Sequence, residues 1–306
     1  MPTAARLQSS QLRQILWLSL GAIALYVVMR ALPTGTNLHQ GDFRVEAGGS
    51  QIEFCDPANP QFIPVVAVRS PVVTTLRALT PPAVGESTDF VLTLATASGK
   101  PIGPADLLVA HTRKLHLMVV DPTLNDYQHL HPEPGAVAGE WTFTLTPRLA
   151  GAYRVFADFT PAATGRGLYA SADFDVPGDV AVNMRILNWT AEHEGLRCEI
   201  TPDTTPIRAG RPVNLAFTLA ALDGGPVALE PVMDAYAHLV AFDRDRGGFA
   251  HLHPRADDPL QPPADPIAPR LDFTLTIPDP GLYVIWAQIA VAGREHFIPF
   301  WFEVKP

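Results

Sequence analysis

The apolar residues of this chain form one long run near its start and many short runs after it. Residues 15–29 (ILWLSLGAIALYVVM) carry no charged side chain. After residue 32 the apolar residues recur in short β-rich runs between turn residues, as at 90–95, 115–120, 141–145 and 153–159. Many short strands at such spacing are typical of antiparallel sandwiches or barrels. The pattern predicts an all-β fold after one N-terminal helix.

The body of the chain contains an internal repeat. Residues 111–132 (HTRKLHLMVVDPTLNDYQHLHP) align without gaps on residues 233–254 (MDAYAHLVAFDRDRGGFAHLHP), and residues 151–159 match residues 281–289. The second copy carries an eight-residue insertion in the proline-rich stretch 256–269, which reads as a surface loop. A repeat longer than 100 residues indicates duplicated domains and not a solenoid.

The repeat sets the predicted domain organisation. The Gly-x-Tyr sequences that end at Tyr153 and Tyr283 look like the tyrosine corner of immunoglobulin-like folds, in which the hydroxyl bonds the backbone upstream. We therefore predict two tandem immunoglobulin-like antiparallel β-sandwich domains. The expected divisions are a membrane anchor at 1–33, an extension or linker at 34–70, and sandwich domains at 71–178 and 186–306.

The N-terminal run predicts a membrane anchor. With its flanking residues it approaches the roughly 20 residues that cross a bilayer. Arg6 and Arg13 precede it, which favours a cytoplasmic N-terminus and a body in the periplasm or another extracytoplasmic space. The alternative is a cleaved signal peptide, but no clean Ala-x-Ala site follows the run. We favour an uncleaved single-pass anchor.

Charge and cysteine content narrow the classes of function. A net charge of −9 argues against nucleic acid as a partner. Cys55 and Cys198 are the only two cysteines and match no zinc-finger spacing. In an exported chain they could form a disulfide, or they could be two unrelated buried thiols, and sequence does not decide between these.

Seven of the ten histidines lie inside the repeat, and strand parity brings most of them together. In the first copy we expect residues 114–132 to form a hairpin that turns at 122–126. His116 then lies opposite His131, and Met118 lies opposite His129, all on one face, because residues two apart on a strand point the same way. Leu115, Leu117 and Val119 occupy the other face, towards the core. The second copy places His238, His251 and His253 in the same way.

Side chains on neighbouring strands lie about 4.5–5.5 Å apart at Cβ, so three imidazoles can reach one ion. Imidazole suits zinc, copper and nickel, and a thioether at Met118 would favour copper. The predicted site is metal-binding, exposed on the outer face of each sheet. Its candidate ligands are His111, His116, Met118, His129, His131, His238, His251 and His253. The alternative is that the histidines end their strands at the surface, bond backbone carbonyls or contact a partner, and repeat only because the domain was duplicated.

Other polar residues attract simpler interpretations. We expect Asp121 and Asp243, which follow equivalent strands, to cap turns. His296 is interpreted as a strand-edge residue, and His39 and His193 as solvated linker residues. The chain contains no Gly-x-Ser-x-Gly, phosphate loop, dinucleotide fingerprint or His-Glu-x-x-His sequence, and no general base is evident. We therefore expect a protein that is not an enzyme.

The repeated pattern resembles a known group of proteins. His-Leu-x-Val-Val-Asp at 116–121, His-Leu-His-Pro at 129–132 and Gly-x-Tyr-x-Val-x-Ala-Asp-Phe at 151–159 look like bacterial exported proteins with immunoglobulin-like or YtkA-like sandwiches. Some of these accompany heavy-metal efflux systems. The resemblance implies export and a sandwich fold over residues 75–305. The second copy departs from the first at Met233 and Val240, where the first has His111 and Met118, so equal metal affinity is not implied.

Together these features predict a membrane-anchored extracytoplasmic protein that binds copper or zinc through histidine clusters on two β-hairpins. Its expected partners are the membrane, through the N-terminal helix, and an envelope protein or metal-efflux system. The alternative is a non-catalytic module for protein–protein interaction in the cell envelope, with the hairpins as docking surfaces.

Overall fold

A computed structural model describes residues 9–31, 36, 38–43, 61–181, 185–255 and 260–306. The chain divides into two compact units, residues 1–37 and residues 38–306. In the first unit, helix α1 spans Ser9–Ala31 and contains the predicted apolar run. Its stretch Ser9–Met29 is long and apolar enough to cross a membrane, by length and composition. The predicted N-terminal helix is confirmed.

The first half of the second unit is a sandwich of two four-stranded antiparallel sheets. Its strands are β1 Val72–Ala78, β2 Thr88–Thr96, β3 Leu115–Val120, β4 Tyr127–Leu130, β5 Glu133–Pro134, β6 Glu140–Leu145, β7 Gly151–Phe159 and β8 Leu168–Val176. One sheet has the order β1-β2-β6-β5 and the other β4-β3-β7-β8. Short 3-10 helices lie at Gln40–Phe43 and Pro104–Asp106. We call these eight strands the first sandwich.

The second half repeats this arrangement. Its strands are β9 Thr190–His193, β10 Leu196–Pro202, β11 Ile207–Arg208, β12 Pro212–Ala221, β13 Leu229–Glu230, β14 His238–Asp243, β15 Phe249–Leu252, β16 Arg270–Thr276, β17 Gly281–Val291 and β18 Arg294–Lys305. One sheet has the order β16-β12-β10-β9. The other has the order β11-β18-β17-β14-β15, with β13 also on β17. These strands form the second sandwich, and the predicted all-β tandem fold is confirmed.

Alternation along the central strands builds a separate core in each sandwich. On β3, Leu115, Leu117 and Val119 point into the first core. On β14, Leu239 and Ala241 point into the second core, which also holds the buried Cys198. Burial raises the pKa of the Cys198 thiol to about 12. The thiol is free, and Cys55 lies outside the described residues.

A third apolar core lies between the two sandwiches. Met118 and Val120 on β3 share it with Val240 and Phe242 on β14. The rest of this interface cluster consists of Ile63, Val65, Leu124, Tyr127, Phe156, Tyr169, Phe249, Val284, Trp286 and Trp301. The outer faces of the β4-β3-β7-β8 and β18-β17-β14-β15 sheets therefore pack on each other, and every residue of β3 is buried.

This packing corrects the expectation that the histidine face of each hairpin is exposed. The opposite face of β3 does point to its own core, as predicted, but the second sandwich covers the histidine face. The apolar residues Met118, Val120, Val240 and Phe242 share that face with the histidines. A strand that is apolar on both faces is buried on both.

The extension before β1 packs on both sandwiches. Leu38 and Phe43 join the first core, whereas Phe62 joins the second. Ile63 exchanges backbone hydrogen bonds with Phe249 on β15, with N···O distances of 2.8 and 3.1 Å. A Cβ atom on Gly248 would lie 2.0 Å from the Ile63 carbonyl oxygen, so this close approach requires glycine. Phe62, Ile63 and Val65 of the extension therefore form a strap that packs on the second core and on the interface cluster.

Both predicted tyrosine corners form. The Tyr153 hydroxyl lies 3.0 Å from the carbonyl oxygen of Leu149, and the Tyr283 hydroxyl lies 3.0 Å from that of Asp279. Tyr153 also lies 2.6 Å from Oδ2 of Asp126, a carboxylate with no solvent exposure. The predicted turn capping is also present, because Asp121 accepts from the backbone of Asn125 and Asp243 accepts from that of Gly248.

We expect Tyr153→Phe to lower the free energy of unfolding by about 1–3 kcal/mol, because the buried Asp126 carboxylate loses a donor. Tyr283→Phe, whose hydroxyl bonds a backbone carbonyl and no buried carboxylate, should cost about 1 kcal/mol. Chemical denaturation of the two variants and the wild type measures both values. Equal costs would contradict the role given to Asp126.

Candidate metal centre

The register of the two hairpins brings the histidines together. Met118 pairs with His129 across β3 and β4, and Val240 pairs with His251 across β14 and β15. The predicted alignment of the first hairpin is thus correct. Two groups of three result, in each of which one ring nitrogen per residue lies within 4.8 Å of the others. We call His116, His129 and His131 the first triad, and His238, His251 and His253 the second triad.

In the first triad, the outer nitrogens of two rings have fixed acceptors. Nε2 of His116 lies 3.0 Å from the carbonyl oxygen of Ala110, and Nδ1 of His129 lies 2.8 Å from Oε1 of Gln288. The amide nitrogen of Gln288 donates to the Glu295 carboxylate at 2.8 Å, so its oxygen must face His129. Carbonyl oxygens only accept, so both outer nitrogens carry the proton.

The second triad repeats this arrangement. Nε2 of His238 lies 2.8 Å from the carbonyl oxygen of Val232, which occupies the repeat position of Ala110. Nδ1 of His251 lies 3.5 Å from Oδ2 of Asp158. Asp158 on β7 and Gln288 on β17 are equivalent positions of the repeat. Each sandwich therefore supports a histidine of the other sandwich's triad, once with a carboxylate and once with an amide.

The inner nitrogens of each triad face one another at close range. Nδ1 of His116 and Nε2 of His129 are 3.2 Å apart, and Nδ1 of His238 and Nε2 of His251 are also 3.2 Å apart. In the first triad the outer nitrogens hold the protons, so the neutral rings of His116 and His129 direct two lone pairs at each other. Such a pair needs either an extra proton or a cation between its nitrogens.

The third ring of each triad is also unsatisfied. Nε2 of His131 and Nε2 of His253 are buried and make no hydrogen bond. A buried polar atom without a partner costs about 1–3 kcal/mol. The equivalent ring nitrogen is thus unpaired in both copies of the repeat, on the third histidine of each triad. The donor set, three imidazole nitrogens, is one that zinc and copper accept.

The remaining predicted ligands lie in different positions. His111 is not part of the first triad. Its ring stacks on that of His253 in the second triad, with the two ring centroids 3.8 Å apart. Met118 has no solvent exposure and belongs to the apolar interface cluster. Met233 is half-buried, in a turn that repeats the positive φ angles of His111. Metal ligation by Met118 stays a prediction.

A third group of potential ligands was missed by the sequence analysis. His193 ends β9, and its ring centroid lies 5.5 Å from that of His296 on β18. Nδ1 of His296 lies 3.5 Å from Oε2 of Glu194. His296 is buried inside its strand and His193 contacts it, so the strand-edge and linker interpretations were wrong. Folding of the β9–β10 hairpin over β18 creates this proximity, which no sequence spacing reveals.

Asp158 and Gln288 were also missed, although a signal for them exists. Both are polar residues in mostly apolar strands, at the same position of the repeat. A buried polar residue requires a partner, and the duplicated position indicates that the partner is duplicated too.

A family profile described as "Domain of unknown function (DUF8832)" matches residues 71–177 and 191–306. The chain belongs to this family. The match covers both sandwiches, in two copies. The family description mentions neither a YtkA-like domain nor metal efflux, so that resemblance stays a prediction. No curated protein matches the chain.

Solved structures with some likeness come from several bacteria. A "Putative membrane anchored protein" from Corynebacterium diphtheriae is 8% identical with a TM-score of 0.26, over 76% of this chain and 59% of that one. A DUF4785 family protein from Legionella pneumophila is 10% identical with a TM-score of 0.25, over 77% and 57%. The alpha-2-macroglobulin of Escherichia coli is 13% identical with a TM-score of 0.24, over 77% and 17%. The chain thus spans less than two thirds of each, and such likenesses carry no argument about function.

Burial keeps the triad histidines of this DUF8832 protein uncharged. Loss of hydration lowers the pKa of His116 and of His238 to about 4, and that of His131 to about 3. It also lowers the pKa of His129 and His251 well below the usual value. Asp158 shifts the other way, since burial raises its pKa to about 7. Near neutral pH the rings are therefore free bases.

We expect the metal-free protein to lose stability as the pH falls below about 6.5. The unfolded chain then protonates histidines that the folded chain keeps neutral, so each contributes a slope of about 1.4 kcal/mol per pH unit. Asp158 has the opposite effect. Its pKa is higher in the folded chain than in the unfolded chain, so the folded chain takes up this proton first as the pH falls, and the gain in stability offsets the loss from about one histidine. Thermal unfolding in a chelator between pH 7 and pH 5 measures the net effect.

The variant His131→Ala/His253→Ala has two fewer titrating groups, so its melting temperature should fall less steeply over the same range. A pH dependence as steep as that of the wild type would show that these rings are not buried as neutral imidazoles.

Proposed function

We propose that the protein binds a transition-metal ion, copper or zinc, through the histidine triads enclosed between its two sandwiches. The observation that carries the proposal is the pair of facing lone pairs in the first triad, at a nitrogen–nitrogen distance that the second triad repeats. Loss of hydration disfavours an extra proton there, whereas a metal cation accepts both lone pairs at once and also the unpaired Nε2 of the third ring. Nothing in this role requires catalysis.

The outer hydrogen bonds support the proposal. Histidines that bind metals usually donate their other N–H to a carbonyl or carboxylate, which fixes the tautomer and aims the free nitrogen. Ala110, Val232 and Gln288 accept such a bond from three of the six triad histidines, and Asp158 lies 3.5 Å from the outer nitrogen of a fourth, His251. The arrangement is preformed, so little reorganisation would accompany binding.

The alternative role of the hairpins as docking surfaces is not favoured. The histidine face of each hairpin packs against the other sandwich, so most of that face is covered and His116, His129 and His238 are buried. The proposal places the body outside the cytoplasm, held by α1, because Arg6 and Arg13 precede the apolar run 15–29. Exchange of metal with an envelope partner, such as the efflux systems that the sequence resemblance implies, belongs to the same proposal.

We expect Cu(II) or Zn(II) to raise the melting temperature of the metal-depleted full chain. Free metal at 100 times the dissociation constant stabilises by about 2.7 kcal/mol through mass action. His131→Ala/His253→Ala should lose most of this rise, since it removes one ligand from each triad. Both replaced nitrogens lack partners, so the variant should fold.

All proteins in this comparison carry His193→Ala, which disables the third group. His39→Ala, which removes an exposed histidine outside all three groups, is the matched control and should keep the full rise. If metal raised the melting temperature equally in the protein with intact triads and in the His131→Ala/His253→Ala variant, metal binding at the triads would be refuted.

The second triad should bind metal more tightly than the first, because Asp158 supplies a carboxylate where the first has the Gln288 amide. In a His131→Ala background, which leaves only the second triad complete, Asp158→Asn should weaken metal affinity by about 10- to 100-fold. Asp175→Asn removes an equal charge from an exposed position on β8 and should change affinity little. Calorimetric titration measures these affinities, and an unchanged affinity in Asp158→Asn would contradict the role of the carboxylate.

A further inference from the structure

We propose that the two triads hold two metal ions at the same time, as a single dinuclear centre shared by the two sandwiches. This inference rests on the proposed function but goes beyond it. Two separate mononuclear sites, or one ion held by both triads, would satisfy the proposed function equally well.

The first support is that the two triads are in direct contact. Across the interface, the ring centroids of His129 and His251 are 5.4 Å apart, and those of His116 and His251 are 6.0 Å apart. Within the triads, the corresponding distances are 5.4 Å for His116 and His129 and 5.3 Å for His238 and His251. Rings at such separations touch, so no layer of other side chains divides the triads.

The second support is the way in which each triad depends on the opposite sandwich. His129 donates to Gln288 of the second sandwich, and His251 lies against Asp158 of the first. In the ladders, Gln288 pairs with His238 and Asp158 pairs with His116. Gln288 therefore lies beside the second triad in its own sheet and contacts the first triad. Asp158 lies beside the first triad in its own sheet and contacts the second. The two ligand sets form one connected network.

The third support is the position of His111. Its ring stacks on His253, and its centroid lies 6.2 Å from that of His116 and 6.3 Å from those of His238 and His251. It is thus a ring of the first sandwich that contacts both triads. Three imidazoles leave a tetrahedral ion with one open position, and His111 is a further imidazole in contact with both ligand sets.

Charge sets the expected order of binding. Two dications in one buried site repel each other, and the carboxyl group of Asp158, 3.5 Å from His251, can offset positive charge at the second triad by ionising. We therefore expect the ion in the second triad, beside Asp158, to bind first and the ion in the first triad to bind more weakly.

The experiment uses the full chain in detergent, in the His193→Ala background that disables the third group. After loading with excess Cu(II) and desalting, bound copper is counted by mass spectrometry and unpaired spins are counted by electron paramagnetic resonance. A Cu(I)-specific chelator reports any reduced copper. We expect two coppers per chain, with a spin count well below two or a half-field signal from coupling of the pair.

Single-triad variants provide the comparison. His131→Ala and His253→Ala should each bind one copper with a full, uncoupled spin, while His39→Ala should keep the coupled pair. Two coppers with two independent spins, or one copper in the starting protein, would overturn the dinuclear centre and leave metal binding standing. No retained copper would overturn the proposed function as well.

Discussion

The structure depends on the burial of two histidine clusters between two apolar sheet faces. The interface cluster, with Tyr127, Phe156, Phe242 and Trp286 among its members, packs like a domain core and extends up to the imidazoles. Water that would normally solvate the ring nitrogens is displaced there. Three outer nitrogens have hydrogen-bond acceptors and a fourth lies near Asp158, whereas the inner nitrogens have only one another. A buried polar group without a partner is costly, which makes these inner nitrogens the chemically demanding feature of the fold.

Duplication explains how such an arrangement can arise. Each sandwich has a core on one face of its β-hairpin sheet and a mixed apolar and histidine face on the other. When two copies pack through those mixed faces, His129 meets Gln288 and His251 meets Asp158. One copy alone would expose both the histidines and the apolar residues beside them. The strap formed by Phe62, Ile63 and Val65 closes the same interface from the extension.

The two copies are alike in geometry but differ in charge. The carboxylate of Asp158 replaces the amide of Gln288, and His111 of the first copy serves the triad of the second, where Met233 has taken the equivalent turn position. The second triad therefore has the His111 ring beside it, although its own copy carries Met233 at that position. It also has the carboxylate of Asp158 nearby.

The sequence by itself determined the strands, the duplication, the hairpin register and the tyrosine corners, because these follow from alternation, turn residues and repeat spacing within short segments. Met118 opposite His129 is a consequence of strand parity alone. The covered face, the pairing of His129 with Gln288 across 159 positions, the placement of His111 on His253 and the group around His296 were decided only by tertiary structure. Periodicity shows which side chains share a face, but what packs on that face depends on contacts between residues far apart in the chain.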